Sequence, residues 1–349
     1  MKCYGCLKEI SGRNQYCTKC QKNLFENIDV KPLKFDKEDF YTFKTENTQR
    51  MSISGVQDKI SLKFSHSNTL EPTDREGRYI LKPIPKINSA TYLEDIPMNE
   101  HLSMQISKQI FKLDTAENGL IEFSDGELAY LTKRFDYEKD EEHKLKKVEQ
   151  EDFASILNYT SQTHDEGYKY EGSYEGIANA IKKYVAASSP ALEEFYKRLL
   201  LNYLIGNGDA HLKNFSLMRK LHRNDYMLTP NYDVLYTGYH IKNDSLTGLD
   251  LFENYETQAF GAQGQYTLED FEEFGLLIGI PKKRLVKIFQ EIINNEPSVY
   301  NMVATSYMSD KAKEAYISNY EKKLHKYLLY YIDSYHFKNK SILVRGLEL

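Results

Sequence analysis

Two aspartates and an asparagine stand where they could share a phosphate-handling site. Asp209 and Asn214 fall in the loop IGNGDAHLKNFSL with four residues between them, and Asp233 follows in LTPNYDVLY. Phosphoryl transfer asks a protein mainly for positioning and charge neutralisation. It needs a carboxylate beside the attacking hydroxyl, oxygen ligands for Mg2+, a cation on the nucleotide phosphates, and backbone donors over them. Asp209 is the candidate beside the hydroxyl. An unperturbed Asp has a pKa of about 3.9 and is a weak base, so its contribution is mainly orientation. Asn214 and Asp233 offer hard oxygens to Mg2+. His211 could brace the loop by hydrogen bonds, and it has no second His or Cys at ligand spacing nearby. Lys82, ending the run YILK, is the candidate phosphate cation, and Glu100 the carboxylate to position it. Each residue also has an ordinary reading. Asp and Asn form turns, and a glutamate near a helix start is favourable without any site.

A second constellation lies at the other end of the chain. Cys3 and Cys6 make one CxxC and Cys17 and Cys20 another, and these are all four cysteines of the sequence. Each CxxC turns two thiolates toward one tetrahedral ion, and Gly5 and Gly12 offer the backbone freedom such turns need. The pattern predicts a structural four-cysteine Zn2+ site that folds residues 1–45, a zinc-ribbon-like module and linker. Two disulfides or free thiols are the alternatives. With no export signal at the N-terminus, metal is preferred to disulfides.

The elements that would position these residues follow from periodicity. Ile60, Leu62 and Phe64 alternate with polar residues, which predicts a strand. Before it lies a small-residue loop with Ser52, Ser54, Gly55 and Val56, whose N–H groups could approach phosphates. YILK is a short strand stopped by Pro83. Met98, Leu102, Ile106 and Ile110 recur every four residues, which predicts a helix over 97–113. Asp125-Gly126 between two strand-like runs predicts a hairpin. Residues 31–48 read as a linker, 137–152 as a solvated charged excursion, 159–176 as a long loop, and 248–266 as irregular or hairpin-like. Helices are predicted over 177–187 and from Pro190 to Gly206. A hairpin pairs 215–218 with 226–229. A helix starts at a Thr267/Asp270 capping box and ends near Leu277, and 281–335 are mostly helical. Strands thus concentrate before residue 137 and helices after 150. The fold class is α+β: a sheet-rich lobe over 46–136, a helical lobe over 137–349, and a ligand cleft between them.

Composition narrows the classes. The 349 residues carry a net charge of −5, which argues against a broad nucleic-acid surface. Direct nucleic-acid binding is therefore not expected, although Lys2, Lys8, Arg13, Lys19 and Lys22 with Tyr4 and Tyr16 could give the cysteine module weak RNA contact. No run of apolar residues is long enough to span a membrane. A cytoplasmic protein is expected.

The motifs together resemble the HipA-like serine/threonine kinases, the toxin components of bacterial toxin–antitoxin modules. SISGVQDKISL resembles the serine-bearing Gly-rich loop and YILKP the ATP-lysine strand. MNEHLSMQIS resembles the Asn-Glu helix start and LTKRFD the hinge strand with Lys133, Phe135 and Asp136. EDF and KYEGSYEGI resemble helical-lobe markers, and the loop at 209–214 has the D-x4-N spacing of a kinase catalytic loop. Order and spacing match over about 50–280. The resemblance implies a protein-kinase-like bilobal fold and use of ATP and Mg2+. It implies phosphorylation of a protein serine, in this family typically on an aminoacyl-tRNA synthetase, and a cognate antitoxin. It also implies autophosphorylation at Ser52, with Ser54 as a neighbour. Longer members carry a larger N-terminal subdomain where this chain has the cysteine module. At the hinge some members have an acidic residue where this chain has Lys133, so only backbone contacts carry over there. A small-molecule kinase on the same scaffold is the alternative, as is a zinc-module binding protein with a vestigial kinase lobe.

Overall fold

The computed structural model describes residues 1–12, 14–46, 58–165 and 167–335, with side chains to residue 325. Ser52, Ser54, Gly55 and Val56 lie outside the described residues.

The cysteine segment opens the chain and runs into helix α1, Thr18–Phe25. Helix α2, Lys37–Glu46, follows. It occupies the stretch read as a linker, and it was hard to foresee because only Phe40 of the helix is buried. A five-stranded antiparallel sheet comes next. Its strands are β1 (Ile60–Phe64), β2 (Leu70–Pro72), β3 (Tyr79–Lys82), β4 (Asn118–Glu122) and β5 (Leu128–Lys133), in the order β2-β1-β3-β5-β4. β4 and β5 are joined at Asp125-Gly126, where Gly126 takes a φ of 89°. Register places Ile60 opposite Leu81 and Leu81 opposite Leu131. These side chains share one core with Cys3, Tyr4, Tyr16, Leu24, Phe25 and Phe40. The cysteine segment is thus part of the sheet lobe's own core.

Helix α3, Ile96–Gln109, crosses between the lobes, with Pro97 in its first turn. Asn99 through Ser107 are all buried. Leu102, Met104 and Ile106 belong to the second core, and Met98 packs against both. The charged excursion proves to be ordered. β6 (Tyr137–Lys139) and β7 (Leu145–Lys147) form a hairpin, and β8 (Glu149–Asp152) joins a second sheet. These strands bury almost nothing, so no apolar alternation announced them. Helix α4, Phe153–Ile156, is capped by Asp152, and α5 spans Tyr174–Tyr184.

Helix α6, Ser188–Ile205, is the backbone of the second core. Its predicted face, from Leu192 through Phe195, Tyr196, Leu199, Leu200 and Tyr203 to Leu204, is buried. Gly206 ends it at a φ of 79°. Strands β9 (Ser216–Arg219) and β10 (Met227–Leu228) pair as the expected hairpin and complete the order β10-β9-β8. The region read as irregular holds a short helix α7, Gln258–Gln263. Helix α8, Leu268–Leu277, begins at the Thr267/Asp270 capping box. Helices α9 (Lys282–Asn294), α10 (Glu296–Thr305) and α11 (Asp310–Tyr335) close the lobe. Among the described residues no helix is long and apolar enough to cross a membrane.

Candidate active site

The site forms where β3, α3 and the loop after α6 meet. Lys82 closes β3 and is buried. Its Nζ lies 2.7 Å from Glu100 Oε1 and also pairs with Asp233 Oδ1. Burial opposes the Lys82 charge, yet Asp233 and Glu100 hold its pKa above the ordinary lysine value. Burial pushes Glu100 up to about 7 despite Lys82. Asp233 is held at about 2: burial works against its charge, and Lys82 and Lys59 outweigh it. Asp233 also has a φ of 57°, in the left-handed region that Asp tolerates better than most residues. Such a backbone persists where its surroundings hold it. Asn99 ties down the segment three residues further on. Its amide donates to Tyr236 O at 2.9 Å, and its Oδ1 accepts from Tyr236 N at 2.9 Å. Neighbouring residues of α3 therefore fix both Lys82 and the segment carrying Asp233.

The loop after α6 is pinned through its backbone. Gly208 N–H donates to Thr237 Oγ1 at 2.7 Å, and Tyr174 donates to Ala210 O at 2.8 Å. Tyr232 donates to Lys213 O at 2.9 Å, which ties the loop to the residue before Asp233. His211 is buried with its Nε2 3.7 Å from Asp209 Oδ1, and burial lowers its pKa to about 4. At neutral pH it is uncharged. Its Nδ1 is buried without a hydrogen-bond partner and its Nε2 stands beyond hydrogen-bond range of Asp209, so the expected side-chain hydrogen bonds bracing the loop are not seen. Asp209 stays more open, with 37% of its side chain exposed.

A cleft of about 610 Å3 connects these groups. Lys82, Asp209, His211, Asn214 and Asp233 all line it. Three lysines that sequence reasoning passed over line it as well: Lys59, Lys169 and Lys213. All three sit inside quoted motifs, QDKIS, KYEGSYEGI and HLKNF, and a lysine within such a motif was the signal available. The volume suits a nucleotide-sized ligand. The donor set suits one too, with lysines for phosphates and Asn and Asp oxygens for Mg2+. Glu100 is not among the lining residues; one of its oxygens, like His211 Nδ1, is buried without a hydrogen-bond partner. The hinge residues Lys133, Phe135 and Asp136 are not among the lining residues. Lys133 turns its side chain to Glu26 and Asn23 O in the N-terminal segment. Asp136 pairs with Arg134, and the Phe135 ring packs on Tyr232.

At the N-terminus the four cysteines converge. Their sulfurs all lie within 4.8 Å of one another, and none is in a disulfide. Tetrahedral Zn–S bonds of about 2.3 Å place sulfurs about 3.8 Å apart. Cys6 and Cys17 sulfurs are separated by 3.8 Å. Backbone N–H groups of Gly5 and Cys17 point at Cys3 Sγ, from 3.4 and 3.2 Å. A Cβ on Gly5 would come within 2.7 Å of Cys20 Sγ, so glycine here serves close approach. The cluster is compatible with zinc.

Comparison with known proteins identifies the family and the fold. The family described as HipA-like C-terminal domain matches residues 51–300. The chain belongs to the HipA-like kinase family. A Haemophilus influenzae protein named "Putative kinase" is 31% identical over 337 residues, covering 91% of this chain and 94% of its own. A Sinorhizobium fredii protein, "Putative kinase Y4dM", is 31% identical over 58% of this chain and 49% of its own length. The Shewanella oneidensis HipA, solved with HipB and operator DNA, aligns over 91% of this chain and 75% of its own. The TM-score is 0.60 at 17% identity, a likeness of fold. The HipA-like family supports a phosphotransferase and implies ATP and a metal ion.

Proposed function

We propose that the chain is an ATP- and Mg2+-dependent serine/threonine-protein kinase, the toxin of a toxin–antitoxin module. The observation that carries this is the convergence of Lys82, Asp209, Asn214 and Asp233 on one cleft in a HipA-like fold. Asp209 orients the attacking hydroxyl and receives its proton late in the transfer. Lys82, fixed by Glu100, binds the nucleotide phosphates, with Lys59 beside it. Asn214 and Asp233 would hold Mg2+, which neutralises phosphate charge when bound. His211, uncharged, packs beside Asp209 against the Tyr170 ring. Zn2+ on the four cysteines would be structural, since all four positions are protein ligands.

The finer expectations rest on the family resemblance. The acceptor is a serine of a translation protein such as an aminoacyl-tRNA synthetase, in the cytoplasm. Phosphate on Ser52 or Ser54 adds about −1.5 to −2 charge and would repel ATP phosphates, lowering activity. A cognate antitoxin is the expected partner, as HipB is in the Shewanella complex.

Radiolabelled ATP with cell lysate tests the reading, comparing wild type with Asp209→Gln. A labelled protein band only with wild type is expected. A band equal in both removes the role of Asp209. Consumption of ATP with no labelled protein redirects the reading to a small-molecule acceptor.

A further inference from the structure

A second cavity, of about 600 Å3, adjoins the first at Asp209. Asp209 lines both cavities, whereas Lys82, Asn214 and Asp233 line only the first. Tyr170 lines the second cavity. It sits in a short turn, Tyr168–Tyr170, just before α5. Its hydroxyl donates a hydrogen bond to Asp209 Oδ1, and its ring stands edge-on to His211 at 5.1 Å. The residue is 46% exposed, so little packing holds it there.

A hydroxyl donating to Asp209 is the arrangement an acceptor alcohol must adopt before transfer. The phenol therefore stands where the substrate hydroxyl belongs. We propose that the second cavity is the acceptor site, that it takes a hydroxyl-bearing segment of a protein, and that Tyr170 holds the acceptor position until that hydroxyl displaces it. The proposal rests on the kinase reading and specifies its acceptor side. The alternative role for Tyr170, orienting Asp209 for catalysis, makes the opposite prediction, because removing the hydroxyl would then slow transfer.

The probe is N-acetylserinamide, with N-acetylalaninamide as control. ADP formation is followed with Mg2+-ATP for wild type, Tyr170→Phe and Asp209→Asn. Loss of one competing hydrogen bond should lower the half-saturating N-acetylserinamide concentration about 3- to 10-fold in Tyr170→Phe. An unchanged or higher concentration overturns the gate while leaving the kinase reading intact. Equal turnover by Asp209→Asn and wild type removes Asp209 from the kinase reading and with it the gate, whereas no N-acetylserinamide-dependent ADP formation by any of the three proteins counts against the protein-acceptor part of that reading. A second readout needs no turnover. In protein carrying 13C-labelled tyrosine, the Tyr170 Cζ resonance, assigned with Tyr170→Phe, should move in Asp209→Asn. N-acetylserinamide should move it the same way in wild type, and the alanine control should not. A resonance unmoved by both overturns the proposal.

Discussion

Lys82 and Glu100 meet at 2.7 Å although they arrive on different elements, one ending β3 and the other starting α3. Both are buried, so the pair joins strand to helix at the base of the cleft. Any displacement of α3 therefore moves the residue proposed to grip the phosphates.

Lys82→Met should reduce phosphate transfer at least about 100-fold, because a preorganised cation facing developing charge is lost. Removing one partner of a buried pair ordinarily costs about 3–5 kcal/mol. Here the cost should stay near about 1–3 kcal/mol. Glu100 is already pushed up to about 7 by burial and takes a proton when Lys82 leaves. Urea denaturation at pH 6 and pH 9 checks this: the variant should lose more stability at pH 9, where keeping Glu100 protonated costs more.

Asp209→Asn should separate chemistry from folding. Its side chain is 37% exposed, so the melting temperature should hardly change. Transfer should fall by about 100- to 10,000-fold, the usual range for a positioned acid–base group. Affinity for ATP, measured by calorimetry, should remain, since Lys82 and Lys59 are untouched.

Much of the candidate site was legible because its residues sit within, at the ends of, or in loops between strongly patterned elements. The apolar face of α6 marked where the loop bearing Asp209 begins, and the β9–β10 hairpin marked where Asp233 follows. The Thr267/Asp270 box marked the start of α8. What escaped notice lacks a period. β6, β7 and β8 form by backbone pairing on a wet surface, and α2 buries only Phe40. Lys133 has a side chain committed to Glu26, more than a hundred positions earlier, and local sequence carries no trace of that. The Tyr170–Asp209 contact joins two loops and is a product of tertiary packing alone.

His101 should set part of the acid limit of stability. Burial lowers its pKa from an ordinary 6.5 to about 4, while Gly5 O, 3.0 Å from Nε2, works the other way. The folded value lies below the unfolded one. Its stabilising contribution is therefore full above pH 6.5 and is lost as pH falls toward 4. A shift of this size corresponds to about 3 kcal/mol over that window. His101→Gln cannot titrate, so its melting temperature should fall less steeply between pH 6.5 and 4 than that of wild type.

The same contact ties the cysteine cluster to α3, as does Gln109, which donates to Cys6 O at 3.0 Å. Purified protein should release one Zn2+ per chain on thiol modification, measured with a colorimetric chelator. Stripping the metal should lower the melting temperature by more than about 5 °C, because metal binding and folding are coupled. Hydrogen exchange should rise in α3 and β4 as well as around the cysteines. Protection unchanged in α3 would mean the cluster folds only itself.

Gly248→Ala offers the sharpest test of how the Asp209 loop is held. Gly248 is buried, and a Cβ there would lie 2.3 Å from the carbonyl carbon of Ala210 and 2.5 Å from its oxygen. The obstacle is backbone, which cannot rotate aside, so one of the two segments must shift. Ala210 stands between Asp209 and His211, and a misplacement of about 1 Å at a reacting group can cost about 100-fold in rate. The lysine side of the cleft is built by other elements. The kcat should therefore fall by about that factor while KM for ATP changes little. Gly261→Ala is the matched control, since nothing lies within 4 Å of its added Cβ. It should transfer phosphate at the wild-type rate. Equal rates in the two variants would show that the loop bearing Asp209 is not positioned by its packing on Gly248.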